Sequence, residues 1–264
     1  MDRTFVITSQ DILQRFSVAA SRYNTATRLQ QSVAWRLACH CRRLSIPKGI
    51  WADLGSGTGW LADALEATHP GYQVLRVDGS AAMLNQQRNS VKTIQHDLSK
   101  GLPSWPNQPQ LLASNFALHW LPNPVLTLNE WIQSLTPGDW LAVAVPVRGS
   151  FPQWRSAAAA ANQLYTAFSL PHDEELIATI PARMIRRQQV RHFTQTAITP
   201  ISLLKPIIDI GAGVTNKGRL SPGAWRRIFR AWPEADSSKC LESGGFYQKR
   251  FGLSWKVLLL ILNR

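Results

Sequence analysis

Cysteine is scarce, with three residues in 264, too few and too scattered to build a disulfide framework. Cys39 and Cys41 stand two apart in a helical stretch and point to different faces, so they do not form a metal pair. Histidine is thin as well: the six residues include no H-x-x-x-H spacing, and no metal is expected. No apolar run approaches the roughly 20 residues that span a bilayer. The longest, "VLLLIL" at 257–262, reads as a buried final strand. The opening "MDRTFVITSQ" has no apolar leader core, so a reduced, cytoplasmic protein away from membranes is expected. Acidic residues are also short, 16 against 29 Lys and Arg. The deficit is local, because residues 183–264 hold 15 basic and 4 acidic side chains. Such asymmetry expects an acidic partner.

What is present begins with a core. Hydrophobic residues make up 45% of the chain, enough for a globular protein, and the length suits one α/β domain over 1–264. Residues 11–45 read as two helices, the first with Ile12, Phe16, Ala19 and Tyr23 on one face. Strands and helices alternate over 50–147, which predicts a mostly parallel sheet with helices on both faces and a ligand beyond the strand ends. Residues from about 150 to 198 read as a lid-like insertion over that sheet, and 199–264 as helices and terminal strands.

The densest signal is "WADLGSGTGW" at 51–60. An apolar run ends in Asp53, three glycines alternate at 55, 57 and 59, and helical spacing resumes at Trp60. A phosphate-binding P-loop needs Gly-Lys-Ser/Thr, and a G-x-G-x-x-G fingerprint needs a glycine where Trp60 stands, so both fail. A second strand, "YQVLRVD", ends in Asp78, 19 residues beyond Gly59. An acid at that distance on the neighbouring strand can accept hydrogen bonds from ribose hydroxyls. Asp78 could instead cap the next helix, a task open to Ser80 as well. Met83 belongs to the ribose side or to the core. A third strand, "VKTIQHD", ends at Asp97, beside Leu98. A fourth, "QLLASN", delivers Asn115, with Phe116, Ala117 and Trp120 as wall or core.

The D-x-G-x-G-x-G pattern resembles the first motif of class I methyltransferases that use S-adenosylmethionine. The resemblance implies that Asp53, Gly55, Ser56, Gly57 and Gly59 hold the amino-acid end of the cofactor. It assigns Asp78, Gly79 and Met83 to the ribose, Asp97 and Leu98 to the adenine, and Asn115, Phe116, Ala117 and Trp120 to the neighbouring wall. More narrowly, "RFSVAASRYNTATRLQQ", "SNFALHWLPNP", "VRGSFPQW" and "LLKPIIDIGAG" resemble malonyl-acyl-carrier-protein O-methyltransferases of biotin synthesis. His119 and Asp139 depart from that family's pattern, as does "GAGVTNKGRL". The His119-Trp120 pair is shared with methyltransferases acting on small carboxylic acids, so that substrate class stands beside the carrier protein.

A carboxylate acceptor, ionised at neutral pH, needs no general base. Tyr23 is the candidate for an aromatic wall or hydroxyl donor, and Arg148 for a cation pairing with the carboxylate. In "SPGAWRRIFRAWP", Trp225, Ile228, Phe229 and Trp232 form an apolar stripe, which puts Arg226, Arg227 and Arg230 on the opposite face. They read either as a solvated face or as a docking site for an acidic acyl carrier protein. Nucleic acid is the less favoured partner, because "SNFALHW" lacks the motifs of base methylation. A monomer is expected.

Overall fold

The computed structural model describes residues 8–209, 220–235 and 249–264. Helix α1 (Ser9–Ala26) starts at a capping box. There the Asp11 N–H donates to Thr8 Oγ1 at 3.2 Å and the Thr8 N–H to Asp11 Oδ2 at 2.9 Å. Thr27 interrupts the helical dihedrals before α2 (Arg28–Cys41), which buries Val33, Leu37 and Cys41.

The alternating segment follows as β1 (Ile50–Leu54), α3 (Trp60–Thr68), β2 (Val74–Asp78), α4 (Ala81–Leu84) and β3 (Thr93–Gln95). Next come β4 (Pro109–Asn115), α5 (Pro124–Ser134), β5 (Trp140–Pro146), α6 (Pro152–Ala160) and α7 (Asp173–Ala178). The chain closes with β6 (Ile185–Ala197), α8 (Pro200–Asp209), α9 (Pro222–Arg230) and β7 (Phe251–Asn263). The strands form one sheet in the order β3-β2-β1-β4-β5-β7-β6. β1 pairs in parallel with both β2 and β4, and the strand order reverses between β1 and β4. A ligand crevice opens at the strand ends at such a reversal.

Two apolar layers sandwich the sheet. On one face Val33, Leu37, Leu61 and Leu65 pack with Trp255 and Leu259. On the other, Leu128, Trp131 and Leu176 pack with Leu258 and Leu260. The run at 257–262 is buried throughout, because β7 lies between β5 and β6 with a layer on each side. With both faces covered, that stretch leaves no position for a polar side chain, unlike Ser254 and Lys256 nearer the start of the strand.

Part of the segment expected to form a lid belongs to the sheet itself. Residues 185–197 are β6, the outermost strand, antiparallel to β7 with Arg191 opposite Val257 and Phe193 opposite Trp255. Ahead of it, Leu176, Ile180 and Met184 are buried in the second apolar layer. Edge position explains the misleading pattern. A strand with one neighbour can carry Arg, Gln and Thr at most positions. Ile228 on α9 and Trp232 just past its end are buried and the three arginines exposed, as the stripe predicts. The departure at Asp139 has a structural cause: its carboxylate accepts from Thr136 N and Oγ1 at 2.8 and 2.6 Å, closing the turn before β5. Of "GAGVTNKGRL", only Leu220 falls within the described residues.

Candidate active site

The strand order brings Asp53, the glycine turn and Asp78 side by side. Gly55 and Ser56 both donate backbone N–H to Val77 O, at 2.8 and 2.9 Å, which ties the turn to β2. Gly55 sits at φ +70°, and an added Cβ would lie 2.3 Å from the Cβ of Ala117. Only glycine fits both constraints. The Gly57 N–H donates to Asp78 Oδ2 at 2.8 Å, and the Ser80 N–H to Asp78 Oδ1 at 2.8 Å. Burial raises the pKa of Asp78, against the pull of those two hydrogen bonds. Ser80, not Asp78, caps α4, accepting from Met83 N at 3.2 Å.

Asp53 is buried, and its Oδ2 accepts from Ala62 N at 3.0 Å in the first turn of α3. Its other oxygen is buried without a partner. Burial pushes its pKa up to about 7, opposed by the Ala62 hydrogen bond and the charge of Arg76. Asn115 donates Nδ2 to Gln30 O at 3.0 Å, and its Oδ1 is likewise buried and unpartnered. Asp97 Oδ1 accepts from Ser99 N and Oγ at 3.0 and 2.7 Å.

A pocket open on one side collects these groups. Asp53, Gly55, Ser56, Gly57, Asp78, Gly79, Met83, Asp97, Leu98, Asn115, Phe116, Ala117 and Trp120 all line it, as does Tyr23. Two expected residues do not. Gly59 is the left-handed N-cap of α3, at φ +95°, where a Cβ would lie 2.7 Å from Arg76 Nη1. Its role is to start the helix. Arg148 is exposed and donates Nη1 to His172 Nε2 at 2.6 Å, outside the lining. The arginines of α9 are outside it too, with Arg227 Nη2 donating to Gln163 Oε1 at 3.3 Å.

Helix α1 supplies a wall that sequence reasoning missed: Ser9, Ile12, Leu13 and Phe16. Leu13 closes over Gly79, where a Cβ would fall 2.6 Å from its Cδ2. Phe16 meets Trp120 edge-to-face at 5.4 Å and Tyr23 at 6.3 Å. The apolar stripe of α1 was the available signal, since Ile12, Phe16 and Tyr23 belong to it. Gln30, Trp60, Leu61 and Leu121 complete the lining. Tyr23 keeps its proton, because burial and the charge of Asp78 raise its pKa. His119 lies behind Trp120 with its ring 4.7 Å away, and burial pushes its pKa down to about 3, so it is neutral.

The arrangement is that of the class I, S-adenosylmethionine-dependent methyltransferase fold, and residues 52–143 match the family described as "Methyltransferase domain". Trans-aconitate 2-methyltransferase of Deinococcus radiodurans is 33% identical over 171 residues, which cover 61% of this chain and 63% of that protein. The chain thus spans under two thirds of the length of that relative. The malonyl-[acyl-carrier protein] O-methyltransferase of Gallionella capsiferriformans is 23% identical, over 96% of this chain and 92% of that one. Among solved structures, the YcgJ protein of Bacillus subtilis superposes with a TM-score of 0.53 at 14% identity, over 86% of this chain and 97% of that one. That last likeness concerns the fold alone.

The residues fit the cofactor of this class. Two buried acceptors without partners, Asp53 Oδ1 and Asn115 Oδ1, belong to residues of the wall. Three aspartates line the pocket, and no lysine or arginine does so among the described residues. Such a site favours a ligand that carries positive charge and hydrogen-bond donors. S-adenosylmethionine has both, in its ammonium, its sulfonium and its ribose hydroxyls.

Proposed function

We propose that this protein transfers a methyl group from S-adenosylmethionine to a carboxylate oxygen of a small carboxylic acid, releasing S-adenosylhomocysteine and a methyl ester. The observation that carries the proposal is the half-buried Asp78 carboxylate, held by the N–H groups of Gly57 and Ser80 at the pocket wall. Each of its oxygens keeps a lone pair for a ribose hydroxyl. Asp53 would take the ammonium, and Asp97 the adenine side. The bound cofactor supplies an electrophilic methyl group.

The chain's own groups then have three tasks. The aspartates fix the cofactor's orientation. The aromatic wall of Phe16, Tyr23 and Trp120 excludes water beside the reacting atoms, where alignment of oxygen, carbon and sulfur decides the rate. The Tyr23 hydroxyl, kept protonated, is suited to donate to the acceptor's carboxylate. That carboxylate is ionised near neutral pH, so no residue need remove a proton.

The trans-aconitate enzyme's similarity supports the small-acid substrate. The near full-length match to the carrier-protein enzyme supports a second reading, in which the acceptor is the free carboxylate of a malonyl thioester used in biotin synthesis. In that reading Arg226, Arg227 and Arg230 dock the acidic carrier. Methyl transfer from labelled S-adenosylmethionine to trans-aconitate, to other small acids and to malonyl-acyl-carrier protein separates the two. No transfer to any carboxylate acceptor would refute both.

A further inference from the structure

Behind the glycine turn lies a buried polar chain, Gln87 and Arg76, that does not line the pocket. Gln87 follows α4 and donates its backbone N–H to Leu84 O at 3.1 Å. Its Nε2 donates to Gly57 O at 2.7 Å and to Ser56 Oγ at 3.2 Å. Its Oε1 accepts from Arg76 Nη1 at 3.1 Å. A carbonyl only accepts and a guanidinium only donates, so the two partners fix which way the amide faces. Arg76 passes the chain on to Asp63 and Glu66 of α3.

The chain ends on the part of the turn that meets the ligand, because Ser56 and Gly57 line the pocket. Gly57 is left-handed, at φ +54°, and the lack of a Cβ leaves its peptide groups free to rotate. Its N–H is held by Asp78 at 2.8 Å. Its carbonyl has one partner among the described residues, the Gln87 amide. Gly59, besides starting α3, makes this approach possible. A Cβ there would lie 2.7 Å from Arg76 Nη1 and 3.1 Å from Gln87 Oε1. The third glycine of the turn thus admits the brace that holds the second.

We infer that Gln87 is a positioning residue for the cofactor, fixing the Gly57 carbonyl so that the turn keeps the shape that receives the amino-acid end. The inference rests on the assignment of this pocket to S-adenosylmethionine, with the ammonium at Asp53 and the ribose at Asp78. A turn held before the ligand arrives spares the cost of ordering it on binding. The ribose end depends less on Gln87, because Asp78 is held by the Ser80 N–H as well, at 2.8 Å.

Two ligands separate positioning from general stability. S-adenosylhomocysteine carries the amino-acid end, whereas methylthioadenosine keeps the adenosine and lacks that end. Calorimetric titration of both into the wild type, Gln87→Glu and Gln87→Met is the test, with urea denaturation alongside. Gln87→Glu keeps an acceptor for Arg76 and sets a carboxylate against the Gly57 carbonyl, so its urea midpoint should stay near the wild-type value. Gln87→Met fills the space and gives up both contacts. If it fails to fold, Gln87→Glu decides alone. Each folded variant should bind S-adenosylhomocysteine about tenfold more weakly, with methylthioadenosine changed by less than about threefold. Unchanged S-adenosylhomocysteine affinity in Gln87→Glu overturns the inference. So does an equal loss for both ligands, the mark of a loosened fold. A wild type that binds neither ligand removes the cofactor assignment itself, and the inference with it.

Discussion

Asp78 and Gly57, 21 residues apart in sequence, are joined by a 2.8 Å hydrogen bond from the glycine N–H to the carboxylate. The bond links the end of β2 to the crest of the glycine turn. One side chain thereby shapes the turn and stays available to a ligand on its remaining lone pairs. Loss of the carboxylate should loosen both.

Binding should depend on pH through Asp53. Its folded-state pKa, about 7, exceeds the ordinary carboxylate value of 3.8 because burial disfavours the charge. Between those values the folded state holds more protons than the unfolded one, so stability falls as pH rises through the window. A ligand ammonium beside Asp53 reverses the benefit, since it prefers the ionised form. Affinity for S-adenosylhomocysteine should rise roughly tenfold from pH 6 to pH 8. In Asp53→Asn that rise should vanish, which calorimetry at the two pH values checks.

Tyr23→Phe keeps the ring and removes the hydroxyl. If that hydroxyl holds the acceptor, kcat should fall about tenfold to a hundredfold while cofactor affinity stays unchanged. Steady-state kinetics with the accepted acid gives the answer. Unaltered kcat would reduce Tyr23 to a wall.

Arg76 is buried, with Nη2 2.8 Å from both Asp63 and Glu66, and Nη1 donates to Gln87 Oε1 at 3.1 Å. The two carboxylates are partly exposed and also meet Arg88, which moderates the loss. Arg76→Ala should still cost about 2–4 kcal/mol in urea denaturation. Arg76→Met, which fills the space, should cost less.

Reversing Arg226, Arg227 and Arg230 to glutamate should raise the KM for a carrier-protein substrate and flatten its salt dependence. Cofactor affinity should not move. Wild-type kinetics at low salt would leave these arginines as a solvated face.

The cofactor half of the pocket was legible because its signals are local. A glycine turn needs its glycines adjacent, and Asp78 follows at the length of one helix and one strand. The other wall was hidden by distance. Leu13 reaches Gly79 only because α1 folds back on the sheet, and its apolar stripe looks the same whether it meets a core or a ligand. β6 escaped notice because an edge strand leaves its exposed positions free to be polar. Arg148 looked available from its place after β5, yet the chain brings His172 against it. Gly59 belonged to the motif but serves the helix, a distinction that depends on its left-handed backbone rather than on its spacing.

Calorimetric titration of S-adenosylhomocysteine into the wild-type protein and Asp78→Ala tests the central claim most directly. The wild type should bind one equivalent. The variant, folded by circular dichroism, should bind about tenfold to over a hundredfold more weakly, the equivalent of roughly 1–3 kcal/mol in lost hydrogen bonds. Equal affinity in a folded variant would contradict the assignment of this pocket to the cofactor.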